Sequence, residues 1–333
     1  MTVSREVRLK SRPVGLPTAD NFETVQVNLP DPAPGETQVR NTWMTVDPYM
    51  RGRMNDVRSY TPPFALGEAM TGGAIGEVIA SNDPSLMPGD LVSSNFGWRE
   101  AFNAPAAQLQ KIDPQGLPPQ AFLGIAGMPG LTAYAGLIRV AELKSEDIVF
   151  VSGAAGAVGS VVCQIARLRG HTVIGSAGGP EKVAFLKEIG VDHAIDYKAV
   201  PDLTQAVMQA APSGIDVYFE NVGGAHMEAA LIAARPFGRF ALCGMISQYN
   251  AVGGMAGIQN LAAAVGKQLT LRGFIVSTHW DLQSEWIRTL SGWAAAGPIT
   301  WRETVREGIG AAPEAFIGLF RGENLGKMLV RLS

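Results

Sequence analysis

The stretch GAAGAVG, residues 153–159, sets small residues between the apolar run Val149–Val151 and an amphipathic run ending at Gly170. In the fingerprint G-x-G-x-x-G, the first glycine permits a tight turn. The second admits a pyrophosphate to the backbone, and the third lets helix pack closely on strand. Positions 154, 156 and 159 read Ala-x-Gly-x-x-Gly, with Gly153 just ahead. The turn follows an apolar strand, opens a helix and heads an alternating series, the context in which the motif carries weight. Unpaired N–H groups and the positive end of the helix dipole would face the pyrophosphate. The alternative is a bare strand-to-helix turn with no ligand.

An NAD site places Asp or Glu about 20 residues further on, accepting from the ribose 2′-hydroxyl. Here that count reaches SAGGPEK, residues 176–182, with no carboxylate directly at the strand end. Gly178 and Gly179 offer room, Pro180 opens a helix, and Lys182 supplies a cation. Room, a helix start and a cation suit a 2′-phosphate, so the stretch favours NADP(H). Glu181 is a counter-signal, and an ordinary solvated Lys182 is the alternative.

Other chemistries are poorly supplied. Residues 1–162 hold neither cysteine nor histidine, and the four histidines, His171, His193, His226 and His279, show no zinc-ligand spacing. No metal site is expected. A Cys-His pair or a Ser-His-Asp triad is missing from the front of the chain. Of six tyrosines, Tyr134 and Tyr218 fall inside a helix-like and a strand-like segment and read as structural. Tyr249 follows the fifth strand of the alternating series, at the carboxyl end of the sheet, where open α/β sheets bind ligands. It is the expected catalytic hydroxyl; a loop aromatic packed on a neighbour is its alternative. Cys243 ends an apolar strand and reads as a small filler whose backbone touches the cofactor.

The elements that must hold these residues can be read from pattern. From residue 148 strand-like and helix-like runs alternate: IVFVSG, AVGSVVCQIARLR, HTVIGSA, PEKVAFLKEIG, HAIDY, LTQAVMQA, IDVYFENVG, HMEAALIAA, GRFALCGM and QLTLRGFIV. This rhythm implies βαβ units and a doubly wound parallel sheet. The first 125 residues carry VQVNLP, ETQVRNTWMTV, GAIGEVIA and DLVSS between Pro and Gly turns, an all-β and barrel-like pattern. A helix, LQSEWIRTLSGWAAAG, follows Trp280, and the tail ends in a strand-like segment able to return to the first module.

With 333 residues, two domains are expected. The net charge of -3 carries no basic face for nucleic acid. No apolar run is long enough to span a membrane, and the N-terminus lacks a signal-peptide core. Two cysteines make a disulfide framework unexpected and a reducing, cytoplasmic setting the expectation.

Taken together, DPYMRGRM (47–54), AGMPGLTAYAGL (126–137), SGAAGAVGS (152–160), ENVGG (220–224), CGMISQYN (243–250) and GENLGK (322–327) resemble the zinc-independent medium-chain dehydrogenase/reductases. The nearest branch is that of leukotriene B4 12-hydroxydehydrogenase, prostaglandin and alkenal reductases. The resemblance implies a GroES-like β-barrel catalytic domain over 1–125, completed by 298–333. A Rossmann NADP(H) domain would span 126–297, with the active cleft between the two, in a homodimer. It implies reduction of the C=C bond of small enals and enones. Ala155, Gly156, Ala157 and Val158 would lie on the pyrophosphate; Gly178, Lys182 and Tyr197 would serve the 2′-phosphate. Asn221 would approach from the fourth strand. Cys243, Gly244, Met245, Ile246, Ser247 and Tyr249, with Phe274, Ile275 and Val276, would wrap the nicotinamide half. Met128 and Thr132 would sit beside the nicotinamide and Asn324 would reach back from the tail. Tyr49 and Arg51 would line the substrate mouth, with fold maintenance the alternative for Arg51. Gly178 stands where relatives often carry Ser, which removes one hydroxyl from the phosphate corner. Rival functions are a quinone reductase of the same superfamily and a non-catalytic NADPH-binding protein.

Overall fold

The computed structural model describes every residue except Gln115, Met255, Pro298 and Ser333; the expected domain boundary at residue 298 therefore lies outside the described residues. The chain divides into two compact units: Met1–Leu123 with Glu303–Asn324 and Met328–Ser333, and Gly124–Arg302 with Leu325–Lys327.

The first unit carries β1 (Thr2–Leu9), β2 (Phe22–Leu29), β3 (Glu36–Thr45), a four-residue helix α1 (Met50–Arg53), β4 (Ala74–Ser81), β5 (Leu91–Ser94), β6 (Ala101–Pro105) and β7 (Gln110–Lys111). The opening stretch, in which charged and apolar residues alternate, is a strand: β1 pairs antiparallel with β2, and Val7 and Leu9 are fully buried. Val7 and Leu9 share the inward face at period two and Arg8 between them faces outward; nearer the start Ser4 is the buried residue, and Arg5 is exposed and pairs with Glu100. Antiparallel β3–β4, β4–β5 and β5–β7 pairings extend a second sheet, and β6 pairs with β3.

Most of the tail belongs to this unit. In order come β14 (Glu303–Glu307), α9 (Ala312–Arg321) and β15 (Lys327–Arg331), and β15 pairs antiparallel with β3. Phe316 of α9 is fully buried and meets Trp98 edge-on, ring centroids 6.1 Å apart. Burying side chains of this size typically stabilises by about 1.5–3 kcal/mol each, so the unit's core is incomplete without the tail.

The second unit opens with α2 (Met128–Ala135) and then follows its sequence rhythm, except that a short helix, Ala262–Gly266, for which the pattern gave no segment, lies between the last two strands. It runs β8 (Ile148–Val151), α3 (Gly159–Leu168), β9 (Thr172–Ala177), α4 (Pro180–Glu188), β10 (His193–Asp196), α5 (Leu203–Ala210), β11 (Ile215–Glu220), α6 (Ala225–Ala233), β12 (Ala234–Leu242), α7 (Ala262–Gly266), β13 (Thr270–Gly273) and α8 (Gln283–Ala296). The strands are parallel in the order β10-β9-β8-β11-β12-β13. Strand order reverses between β8 and β11, the switch point at which open α/β sheets bind ligands. Phe150, Ile174, Tyr218 and Phe240 fill the core.

Two edges differ from the sequence pattern. β12 starts at Ala234, before the expected GRFALCGM. β13 stops at Gly273, because its one neighbour, β12, ends at Leu242 opposite it. Val276 consequently begins a 3₁₀ segment, Val276–Leu282, rather than ending a strand. Among the described residues no helix is long and apolar enough to cross a membrane.

Candidate active site

The glycine turn leaves β8 through Ser152 and Gly153, whose φ of +58° is a left-handed conformation suited to glycine. The Gly156 N–H donates to the Gly153 carbonyl at 3.0 Å. A Cβ on Gly159 would lie 2.3 Å from that carbonyl oxygen and 2.8 Å from Ala154 Cα. Gly159 is therefore the close-packing glycine between helix and strand. A Cβ on Gly156 would meet only the Gly153 carbonyl, at 3.2 Å, so its outer side is open. Alanine is tolerated at 154 because its methyl faces Gly175, where a Cβ would stand 3.1 Å away. Ala155 is pinned from the tail, its carbonyl accepting from Gly326 N–H at 2.8 Å. Ala157 and Val158 lead directly into α3, whose first turn closes with Ser160 N–H on the Gly156 carbonyl (3.0 Å) and Val161 and Val162 N–H on the Val158 carbonyl (3.1 and 3.0 Å), so the positive end of the helix dipole faces the turn. The turn thus fits a pyrophosphate.

A buried carboxylate ties this turn to the next loop. Glu220, fully buried at the end of β11, accepts at Oε1 from Ser152 Oγ (2.7 Å), Val222 N–H (2.7 Å) and Gly223 N–H (2.8 Å). Ser152 Oγ also accepts from Asn221 N–H at 2.8 Å, and the Asn221 side-chain amide donates to the Ser152 carbonyl at 2.7 Å. Asn221 therefore stands at the switch point as expected, partly as a clamp on β8. The sequence pattern alone does not single out Glu220: β11 reads IDVYFE, with Asp216 as a second carboxylate, and only the fold shows that the last one is buried.

An open cavity of about 630 Å³ lies at the carboxyl end of β12 and β13. It gathers Cys243, Gly244, Met245, Tyr249, Phe274 and Ile275 from the expected residues, and adds Arg272, Thr278 and His279. The Tyr249 hydroxyl accepts from Met245 N–H at 3.2 Å, and a Cβ on Gly244 would sit 3.0 Å from it. Gly244 thus lets the tyrosine fold back over its own loop. Ile246 opens a short 3₁₀ turn, Ile246–Gln248. Ser247 Oγ donates to the Val222 carbonyl at 2.6 Å, anchoring the Tyr249 loop to the Asn221 loop. Burial, then the Glu220 charge, pushes the Cys243 thiol up to about 12, so it is a neutral filler rather than a nucleophile. In α2, Thr132 Oγ1 donates to the Met128 carbonyl at 2.7 Å, which leaves the hydroxyl an acceptor role.

The phosphate corner lies between β9 and β10. Lys182 is half-buried on α4, and burial, followed by the charge of Lys198, lowers its pKa, with Glu181 opposing. The Tyr197 ring meets His226 edge-on at 5.0 Å. His226, only 3% exposed, shares a 3.0 Å hydrogen bond with Ser176 Oγ. Burial pushes the imidazole down from 6.5 to about 4. Between those values the unfolded chain takes up the proton first, so stability falls as pH drops through this window, by on the order of 3 kcal/mol. His226→Phe is expected to flatten that dependence. Wild type should lose clearly more Tm than the variant between pH 7.5 and pH 5, and equal losses would remove His226 as the cause.

In the first unit, Tyr49 is half-buried, and burial, then Asp47, raises its pKa, so its hydroxyl remains a neutral donor. Arg51 is 3% exposed. It donates to the carbonyl of Gly15 (2.9 Å) and to Asn55 Oδ1 (2.7 Å), holding residues 13–15 in place. Asn324 closes the unit's second segment. Tyr134 and Tyr218 are fully buried, and the Tyr134 hydroxyl donates to Glu285. Among the described residues, no group of three or more His, Cys, Asp or Glu could hold a metal ion.

Residues 5–112 match the family model described as the N-terminal domain of oxidoreductase, and residues 157–294 the model described as zinc-binding dehydrogenase. The 2-alkenal reductase (NADP(+)-dependent) of Nicotiana tabacum is 40% identical over 99% of this chain and 98% of its own length. Prostaglandin reductase 1 of Bos taurus is 40% identical over 99% of this chain and all of its own. The crystal structure of CurA from Vibrio vulnificus, in complex with NADPH, superposes with a TM-score of 0.94 at 40% identity over 99% of both chains. A parallel sheet in the dinucleotide-binding order, a glycine turn at its switch point and likeness along the whole chain lead to one conclusion: the chain belongs to the medium-chain dehydrogenase/reductase family, in the branch of the prostaglandin and 2-alkenal reductases.

Proposed function

We propose that the chain is an NADPH-dependent reductase of the C=C bond of α,β-unsaturated aldehydes and ketones. The observation that carries the reading is Tyr249, which lines the open cavity at the carboxyl end of β12 and β13. The bound nicotinamide supplies a hydride to the β-carbon. Negative charge then develops on the carbonyl oxygen, and the α-carbon needs a proton. Tyr249 accepts a hydrogen bond from Met245 N–H, which polarises its O–H as a donor. It orients the nicotinamide ribose and supports enolate protonation. The turn over Ala155–Val158 holds the pyrophosphate, and Lys182 and Tyr197 hold the 2′-phosphate. Asn221, the 243–249 loop, Phe274–Val276, Met128, Thr132 and Asn324 hold the nicotinamide half. Tyr49 is a substrate contact, and Arg51 acts by fixing the segment before it.

The β13 edge, where Thr270, Arg272 and Gly273 are exposed, leaves main-chain groups for pairing with a second copy, which supports a homodimer. Two unpaired cysteines suit a cytoplasmic setting.

The test follows NADPH absorbance with a medium-chain 2-alkenal, an enone, a benzoquinone and, with NADP+, a saturated secondary alcohol, with products identified by mass. Saturated carbonyl from alkenal or enone is the expected result. Turnover of the quinone alone would place the chain among quinone reductases, and tight NADPH binding without turnover would point to a binding protein.

A further inference from the structure

The phosphate corner contains a second lysine that the motif does not name. Lys198 follows Tyr197 directly after β10. A Cβ placed on Gly178 would lie 2.8 Å from Lys198 Cε and 2.9 Å from Tyr197 Cε1. Contacts under 3.0 Å require something to move, and here the flexible lysine end would yield before the tyrosine ring. The lysine stem and the tyrosine ring therefore lie across the bare Gly178 backbone, at the end of β9. They occupy space that any side chain at 178 would claim.

The surroundings hold both residues there. Asp196 Oδ1 accepts from Gly179 N–H and from Lys198 N–H, each at 3.0 Å. This joins the two loops and commits that oxygen to backbone groups. His226 braces the Tyr197 ring edge-on. Lys182 approaches from α4, near enough to Lys198 for the second charge to disfavour its protonated form. Two ammonium groups brought together repel, and an anion between them relieves the repulsion. α4 also begins at Pro180, so its N-terminal dipole reinforces the same sign.

We propose that Lys198 is the second cation of the adenosine 2′-phosphate site, paired with Lys182, and that glycine at 178 is what lets it reach there. The inference rests on the NADPH reading above. Lys198 sets the preference for a phosphorylated over an unphosphorylated ribose, and touches neither nicotinamide nor substrate.

The test is calorimetric titration of the full-length protein with 2′,5′-ADP and with 5′-AMP, ligands that differ by the phosphate alone. Lys198→Ala is expected to weaken 2′,5′-ADP about tenfold, as for loss of one charge-assisted contact. Binding of 5′-AMP should stay within about twofold. The salt dependence of 2′,5′-ADP binding should become shallower, and Lys198→Arg should retain most of the affinity. Gly178→Ala should weaken 2′,5′-ADP as well, and the Gly178→Ala/Lys198→Ala double variant should lose little beyond either single change. Lys198 is exposed, so its variants should fold normally. Unchanged 2′,5′-ADP binding in Lys198→Ala, with a loss in Lys182→Ala, would overturn the role of Lys198 and leave the NADPH reading intact. No loss in either variant would overturn both. Additive losses in the double variant would overturn the role given to Gly178.

Discussion

Tyr249→Phe is expected to lower turnover of a 2-alkenal about a hundredfold and leave NADPH affinity nearly unchanged. The substitution keeps the ring and deletes one oxygen. In the protein that oxygen accepts from Met245 N–H at 3.2 Å, a long bond whose loss costs the loop about 1 kcal/mol. In the proposed reaction the same O–H would donate towards charge that grows on the carbonyl oxygen, and a donor of this kind contributes about 3–4 kcal/mol to the transition state. The two magnitudes separate the roles. A loss confined to kcat, with NADPH titration and Tm little altered, supports the catalytic assignment. A matching loss in NADPH affinity would make Tyr249 a loop clasp. Full turnover would move proton donation to water or ribose.

The second large effect is steric. Gly159→Ala is expected to destabilise the protein by about 3 kcal/mol or more and lower Tm by about 5 °C or more. The new methyl would stand 2.3 Å from the Gly153 carbonyl oxygen and 2.8 Å from Ala154 Cα. Both are backbone atoms that no rotamer change can withdraw, so α3 must lift from β8 and carry the glycine turn with it. Gly156→Ala is the informative partner. Its methyl would meet a single backbone atom at 3.2 Å and would point to where a pyrophosphate approaches the chain. It should spare Tm and weaken NADPH by at least about tenfold. Thermal unfolding with NADPH titration checks both. Equal Tm losses would mean that the two glycines serve packing alike.

Much of the second unit is legible in the sequence alone. Strands and helices of the second unit follow the written rhythm from Ile148 onward because helix and strand periods, and Gly or Pro punctuation, are local properties. α5 spans Leu203–Ala210, the run its pattern marked. Less legible was the first unit, where the stretch that forms β1 reads only as alternating charged and apolar residues. Its burial becomes visible only when β2 lies beside it.

Arg51 shows a different limit. In the sequence it is a cation in a promising motif. In the fold its guanidinium is spent on Gly15 and Asn55, partners set by how the 13–15 segment passes over α1. Lys198 is the converse, an unremarkable lysine in sequence that the fold lays across Gly178.

By itself the sequence determined the class of the second unit, the place of its glycine turn and the Gly-Gly-Pro opening of α4, since each is written in neighbouring residues. The tertiary structure decided which distant side chains meet. Ser152 and Glu220 stand 68 positions apart, and come within bonding distance because β8 and β11 are parallel neighbours in register. Phe316 enters the first unit's core because β15 returns to β3. Such contacts depend on strand order and helix packing, which bring together residues whose local patterns carry no mark of one another.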